Sequence, residues 1–150
     1  MRKIVVGIDG SPGATEALRF ALDEAAVSGA SLTVVTAWDV PPGAYGGPRT
    51  VELAHEFFEK AGRDHLATCL ESAGATRSGV ALEPQVIRGD ARRVLCRAAE
   101  SADMLVLGSR GLGTVKSLLL GSVGMYCVHH APCPVVIVPS SRRDVVEEAR

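Results

Sequence analysis

The residues best suited to chemistry in this chain form one stretch, Gly108-Ser109-Arg110-Gly111-Leu112-Gly113-Thr114, followed by Val115 to Leu120 and then Gly121-Ser122. Glycines let a backbone approach a ligand closely and turn successive N–H groups inward as a nest for an anion. Ser109, Thr114, Ser117 and Ser122 add hydroxyl donors, and Arg110 adds a cation that either reaches phosphate or faces solvent. A helix opening near Gly121 would turn the positive end of its dipole to the same place. Together these describe a cradle for phosphate groups. A bare flexible glycine loop is the competing reading, because short glycine patterns are common. Two familiar phosphate motifs do not fit. Gly108-x4-Gly113 opens like a P-loop, yet Thr114 stands where lysine is needed and Lys116-Ser117 comes two residues late. Gly111-x-Gly113 opens like a dinucleotide fingerprint whose third glycine position holds Lys116.

Other reactive residues offer less. Asp9 ends an apolar run at Gly10-Ser11, where it is either a turn carboxylate satisfied by neighbouring amides or a ligand-facing acid. A phospho-accepting role would need an acidic neighbour and a lysine that the sequence does not place. His129 and His130 stand near Cys127 and Cys133, but adjacent residues on a helix point about 100° apart and would not share one zinc ion. A helix C-terminus accounts for them through its dipole. Arg88-Gly89-Asp90 reads as a strand-to-helix turn with Asp90 as N-cap rather than as an adhesion tripeptide. No Ser/His/Asp set with a nucleophile elbow, zinc motif or paired carboxylates emerges. Phosphoryl transfer needs an activated acceptor and charge stabilisation beyond a cradle, so the sequence predicts a held ligand, with no catalytic residue assigned.

The elements that must position these residues follow from apolar patterning. Ile4 to Ile8 reads as a strand; Ser11 then caps a helix with Pro12 in its first turn, an apolar stripe of Leu18, Ala21, Leu22 and Ala25, and Gly29 at its end. Leu32 to Trp38 is a second strand. Asp39 to Arg49 carries Pro41, Pro42, Pro48, Gly43, Gly46 and Gly47 and reads as a surface loop beside a site. Thr50 to about Ala73 is helical, with Leu53, Phe57, Ala61, Leu66 and Leu70 as its expected apolar row. Val80 to Ile87, Met104 to Leu107 and Pro134 to Val138 are three further strands, separated by helices over Ala91–Ala99 and about Gly121–His130. This alternation predicts an α/β fold, a three-layer α/β/α sandwich around a parallel sheet covered on both faces. Ligands bind such sheets beyond the carboxyl ends of the strands. The segments there are Asp9-Gly10-Ser11, Ala37 to Asp39, Gly89-Asp90 and Gly108 onward.

Composition narrows the classes. At 150 residues with 47% apolar and 22% charged side chains, the chain is globular, and residues 1–150 read as one domain. The 16 basic and 17 acidic residues leave a net charge of −1, and aromatics are only 4%, which argues against a nucleic-acid partner. No apolar run approaches the ~20 residues that span a bilayer, so no membrane is expected. The run from Ile4 to Ile8 is too short for an export signal and stops at Asp9. Cys69, Cys96, Cys127 and Cys133 show neither metal spacing nor disulfide density and are expected as free thiols in a cytoplasmic protein.

The spacing Gly108-x2-Gly111-x9-Gly121-Ser122 resembles the nucleotide-binding signature of the universal stress protein family. The opening Ile4-Val5-Val6-Gly7-Ile8-Asp9-Gly10-Ser11 is similar to that family's first strand and turn, and His129 to Val138 to its closing helix end and last strand. The resemblance implies an adenine-nucleotide-hydrolase-like sandwich with a five-stranded parallel sheet in the order 3-2-1-4-5. It implies that Gly7 and Asp9 contact the nucleoside, with Asp9 near the ribose or a phosphate-bound metal, and that the Ala37 main chain reads the adenine edge. Gly108, Ser109, Arg110, Gly111, Leu112, Gly113 and Thr114 would wrap the ribose and phosphates; Gly121, Ser122 and the Val123 amide would hold the outer phosphates. Thr114 stands where members often carry glycine. ATP would bring Mg2+ on its phosphates. A homodimer through the last strand, Val135-Val136-Ile137-Val138, is implied as well, and that aliphatic edge has a physical motive to be covered. The function expected is a regulatory ATP-binding stress-response protein whose nucleotide alters the Asp39–Arg49 loop and the dimer surface. A slow ATPase or autophosphorylating enzyme is the alternative from another class. A nucleotide-free or cyclic-AMP-binding dimeric interaction module is a third.

Overall fold

Helix ends show most directly how this sequence fixes its structure. In the computed structural model, which describes residues 2–44, 48–109 and 120–140, strand β1 (Lys3–Gly7) leads into helix α1 (Pro12–Ser28). The Ser11 hydroxyl accepts the Ala14 N–H at 3.3 Å, and Gly29 closes the helix in the left-handed region at φ 69° with its N–H on the Ala25 carbonyl. Leu18, Ala21, Leu22 and Ala25 are buried as their spacing predicts. Then follow β2 (Ser31–Trp38), α2 (Pro48–Ser72), a single 3-10 turn (Ala75–Arg77), β3 (Leu82–Arg88), α3 (Ala91–Ala99), β4 (Met104–Gly108), α4 (Ser122–His130) and β5 (Val135–Val138). Strand β3 starts later than expected, at Leu82 rather than Val80, and continues through Arg88.

The expected apolar row of α2 is corrected in part. Leu66 is buried and Leu70 packs against the core, but Leu53 is 64% and Phe57 66% exposed. The reason is the helical period. At about 100° per residue, the nine steps from Phe57 to Leu66 bring the chain to the opposite side of the helix. The buried row instead runs through Gly62, Leu66 and Cys69.

Asp90 caps α3 as expected: its Oδ1 accepts the Arg92 N–H at 2.9 Å, and its Oδ2 pairs with the Arg92 guanidinium at 3.0 Å. The Arg92 side chain, with the backbone bonds behind it, holds the Asp90 carboxyl below the usual range. A depressed carboxylate contributes stability above its unfolded value and loses it as pH falls through its folded value. Asp90→Ala is therefore expected to cost about 1 kcal/mol at neutral pH. In urea titrations the gap from the parent should narrow below about pH 4; a pH-independent gap would remove the charge from the explanation.

The sheet is five-stranded and wholly parallel, in the order β3-β2-β1-β4-β5. Alternate side chains of each central strand point to opposite faces. Ile4, Val6, Leu32, Val34 and Val106 pack with α1 and with Leu66 and Cys69 of α2. Val5, Val35, Leu105 and Leu107 pack on the other face with Leu95 and Ala99 of α3 and Cys127 of α4. Both faces are thus covered, which is why the strands are continuous aliphatic runs rather than alternating ones. Among the described residues no helix is long and apolar enough to cross a membrane.

Candidate functional site

Strand order reverses between β1 and β4: the chain leaves β1 toward β2 and β3, then returns past it to β4 and β5. The carboxyl ends at such a switch point diverge and leave a crevice. Here that crevice is a partly open cleft of about 120 Å³. Its lining has two kinds of surface. Val35, Ala37, Ala91, Leu95 and Leu107 are apolar, whereas Asp9, Ser11, Gly108, Gly121 and Ser122 offer polar side chains or bare backbone.

Two glycines end the flanking strands for reasons of space. A Cβ on Gly108 would lie 2.9 Å from the Gly13 carbonyl oxygen and 3.0 Å from its carbon, so β4 passes tightly against the first turn of α1. A Cβ on Gly7 would meet the methyl groups of Leu95 and Leu107 at 2.8 Å. Either way, the glycine keeps the wall thin where the cleft begins.

The start of α4 is fixed to the end of β4. Ser109 donates its N–H to the Val138 carbonyl at 2.9 Å, and its own carbonyl accepts the Gly121 N–H at 2.9 Å. The two ends of the glycine segment, separated in sequence, therefore meet at the cleft. Gly121 is the N-cap of α4 and makes no side-chain capping bond. The first amides of a helix have no carbonyl partner within it, and they carry the positive end of its dipole. Ser122, Val123 and Gly124 of that first turn all line the cleft. An anion placed there would meet N–H donors without any desolvated carboxylate being added.

Asp9 lies in the cleft wall with one carboxylate oxygen accepting the Ser11 N–H at 3.0 Å. It acts as the turn carboxylate and remains part of the site. Gly7, Asp9, Ala37, Gly108, Gly121, Ser122 and Val123 are thus brought to one cleft. Ser109 acts through its backbone as the tie between β4, β5 and α4. The expectations for Arg110, Gly111, Leu112, Gly113 and Thr114 lie outside the described residues. Gly89 and Asp90 do not line the cleft, but Ala91, the next residue, does. Ser11, in a segment expected beyond the strand ends, lines the cleft, whereas sequence reasoning passed over Ile8 and Ala14 near the first turn and the apolar Val35, Leu95 and Leu107. The leucines were visible only as core, because burial by protein and burial under a ligand leave the same apolar signal. Among the described residues, no three His, Cys, Asp or Glu side chains gather as a metal set.

The sequence profile of the universal stress protein family matches residues 1–139. A Thermus aquaticus universal stress protein encoded in the QAH/OAS sulfhydrylase 3′ region is 37% identical over 142 residues, covering 91% of this chain and 98% of the relative. Mycobacterial relatives also match, the chain spanning about half their length. Among solved structures, UspA from Lactobacillus plantarum superposes with a TM-score of 0.77 at 26% identity, covering 91% of this chain and 97% of that one. A universal stress protein in complex with cAMP gives 0.67 at 29% identity, covering 93% and 98%. The Archaeoglobus fulgidus protein in complex with dAMP shares the fold at 0.61 and 24% identity, covering 92% and 98%. The parallel sheet, the switch-point cleft, the match over residues 1–139 and the 37% identical relative together show that this chain belongs to the universal stress protein family.

Proposed function

We propose that this chain is a regulatory module that holds ATP in the switch-point cleft. The observation that carries the reading is the Gly121 N–H bond to the Ser109 carbonyl, which sets the uncapped start of α4 against the end of β4. The apolar walls from Val35, Leu95 and Leu107 suit a base, and the first turn of α4 suits phosphates. In this reading Gly7 and Asp9 meet the nucleoside and the Ala37 main chain meets the adenine edge. Gly108 to Thr114, with Arg110, wrap the ribose and phosphates, and Gly121, Ser122 and Val123 hold the outer ones. Mg2+ comes with the phosphates rather than in a protein cage. The relatives solved with cAMP and dAMP support an adenine nucleotide as the ligand. The cAMP complex also favours a second reading, in which a cyclic nucleotide takes the cleft. Strand β5 is an outer strand of the sheet, and Val135 to Val138 form the edge through which two copies would pair in a cytoplasmic homodimer.

The test is acid extraction of freshly purified protein to identify any nucleotide released, followed by melting with Mg-ATP, AMP and cAMP. A ligand at about 100 times its dissociation constant stabilises by ~2.7 kcal/mol. For a chain of this size that is a rise of about 5–10 °C. The largest shift is expected with Mg-ATP. A larger shift with cAMP would move the assignment to the cyclic nucleotide, and no shift with any of them would leave a nucleotide-free interaction module.

A further inference from the structure

Three cysteines gather on the α3/α4 face of the sheet: Cys96 in α3, Cys127 in α4 and Cys133 just before β5. The sulfurs of Cys96 and Cys127 lie 3.9 Å apart. Cys127 is fully buried among Val5, Leu95 and Leu105, whereas Cys96 is half-buried. Cys96 also lines a surface groove with Arg93, Arg97, Glu100, Tyr126 and His130. None of these thiols has a part in the nucleotide cleft.

We propose that Cys96 is a peroxide-reactive thiol and that Cys127 resolves it into a disulfide joining α3 to α4. Reactive cysteines sit in partly exposed, electropositive surroundings, and the groove gives Cys96 two arginines against one glutamate. Peroxide reaches the Cys96 sulfur through the groove while Cys127 waits behind it. The separation must close from 3.9 Å to about 2.05 Å, which a side-chain rotation and a small approach of the helices supply.

The chemistry balances with one peroxide. Cys96 gives up its proton and its sulfur attacks a peroxide oxygen; the O–O bond breaks to leave a sulfenic acid and hydroxide, which takes up that proton as one water. The Cys127 sulfur then attacks the Cys96 sulfur and expels hydroxide, which leaves as a second water with the Cys127 proton. Two thiols are oxidised to one disulfide, and peroxide is reduced to two waters. Burial first, then the neighbouring Cys96 and Cys133 sulfurs, push the Cys127 thiol up to about 12. Cys127 therefore stays protonated while Cys96 is reduced. Cys69 lies on the other face of the sheet and 3.6 Å from the Thr15 hydroxyl, so it serves as an internal reference.

The bond would tie together two walls of the cleft, since Leu95 precedes Cys96 and Val123 stands one turn before Cys127. Its formation does not depend on what the cleft holds. The experiment treats the folded protein with hydrogen peroxide, blocks remaining thiols with N-ethylmaleimide and weighs and maps the product. Two of the four thiols should be lost and recovered with dithiothreitol, with Cys96 reacting about tenfold faster than Cys69. In Cys133→Ser, which leaves only one partner sulfur on this face, a Cys96–Cys127 linked peptide should persist. Cys96→Ser should keep its remaining three thiols reduced. An unchanged thiol titre, a bond that vanishes in Cys133→Ser, a link between two molecules, or equal rates for Cys96 and Cys69 would each overturn the proposal.

Discussion

Gly108→Ala is expected to lower the melting temperature by about 3–10 °C, corresponding to ~1–3 kcal/mol of overpacking in a chain of this size. The added methyl would fall 2.9 Å from the Gly13 carbonyl oxygen and 3.0 Å from its carbon. Those are backbone atoms at the start of α1, held by the Ser11 cap and by the packing of Ala14, Ala17 and Leu18. They cannot rotate away as a side chain would, so β4 and α1 must separate. Gly7→Ala is the comparison. Its methyl meets first the ends of Leu95 and Leu107, which can change rotamer, so the fold should lose less. Those leucines line the cleft, however, and displacing them narrows it. The pair should therefore rank one way in stability and the other in loss of ligand per unit of stability lost. Thermal melts of both variants decide it. A Gly108→Ala melt matching the parent would mean that this close approach is not a constraint.

Gly108 also shows where sequence reasoning worked and where it stopped. The covered sheet faces and the ends of α1 followed from patterns local to a few residues, the Ser11-Pro12 start, the Gly29 stop and the aliphatic runs, whereas the strand order came only from the family resemblance. The site was legible wherever function rests on backbone type. Glycine at 7, 108 and 121 is visible in a sequence, and each of these positions lies in the cleft. What glycine excludes was not legible, because the Gly13 carbonyl against Gly108 is a contact between elements far apart in the chain. The α2 row failed for a related reason. Leu53 and Phe57 look like core when apolarity is counted, but their phase around the helix, set by Leu66 and Cys69, turns them outward. The approach of Cys96 to Cys127 likewise depends on how two helices dock on one face, which no spacing in the sequence encodes.

Ser122→Glu should separate the cradle from the fold, because its two expected effects have opposite signs. Ser122 is the first residue of α4 and is exposed at the mouth of the cleft. An acidic side chain in the first turn interacts well with the helix dipole, by about 0.3–1 kcal/mol. The melting temperature should stay level or rise. If the outer phosphates of ATP sit on this turn, the same carboxylate opposes them at close range and competes for the amides of Val123 and Gly124. A loss of at least ~100-fold in Mg-ATP affinity is expected, equivalent to about 2.7 kcal/mol. Ser122→Ala removes only a hydroxyl donor to a charged group, worth about 1.5–3 kcal/mol, and should fall between parent and Ser122→Glu. Calorimetric titration with Mg-ATP and with adenosine completes the argument. Adenosine carries no phosphate, so its affinity should hardly change in either variant. Equal losses for adenosine and ATP would place Ser122 against the nucleoside instead. Undiminished ATP affinity in a well-folded Ser122→Glu protein would mean that the start of α4 does not bind phosphate at all.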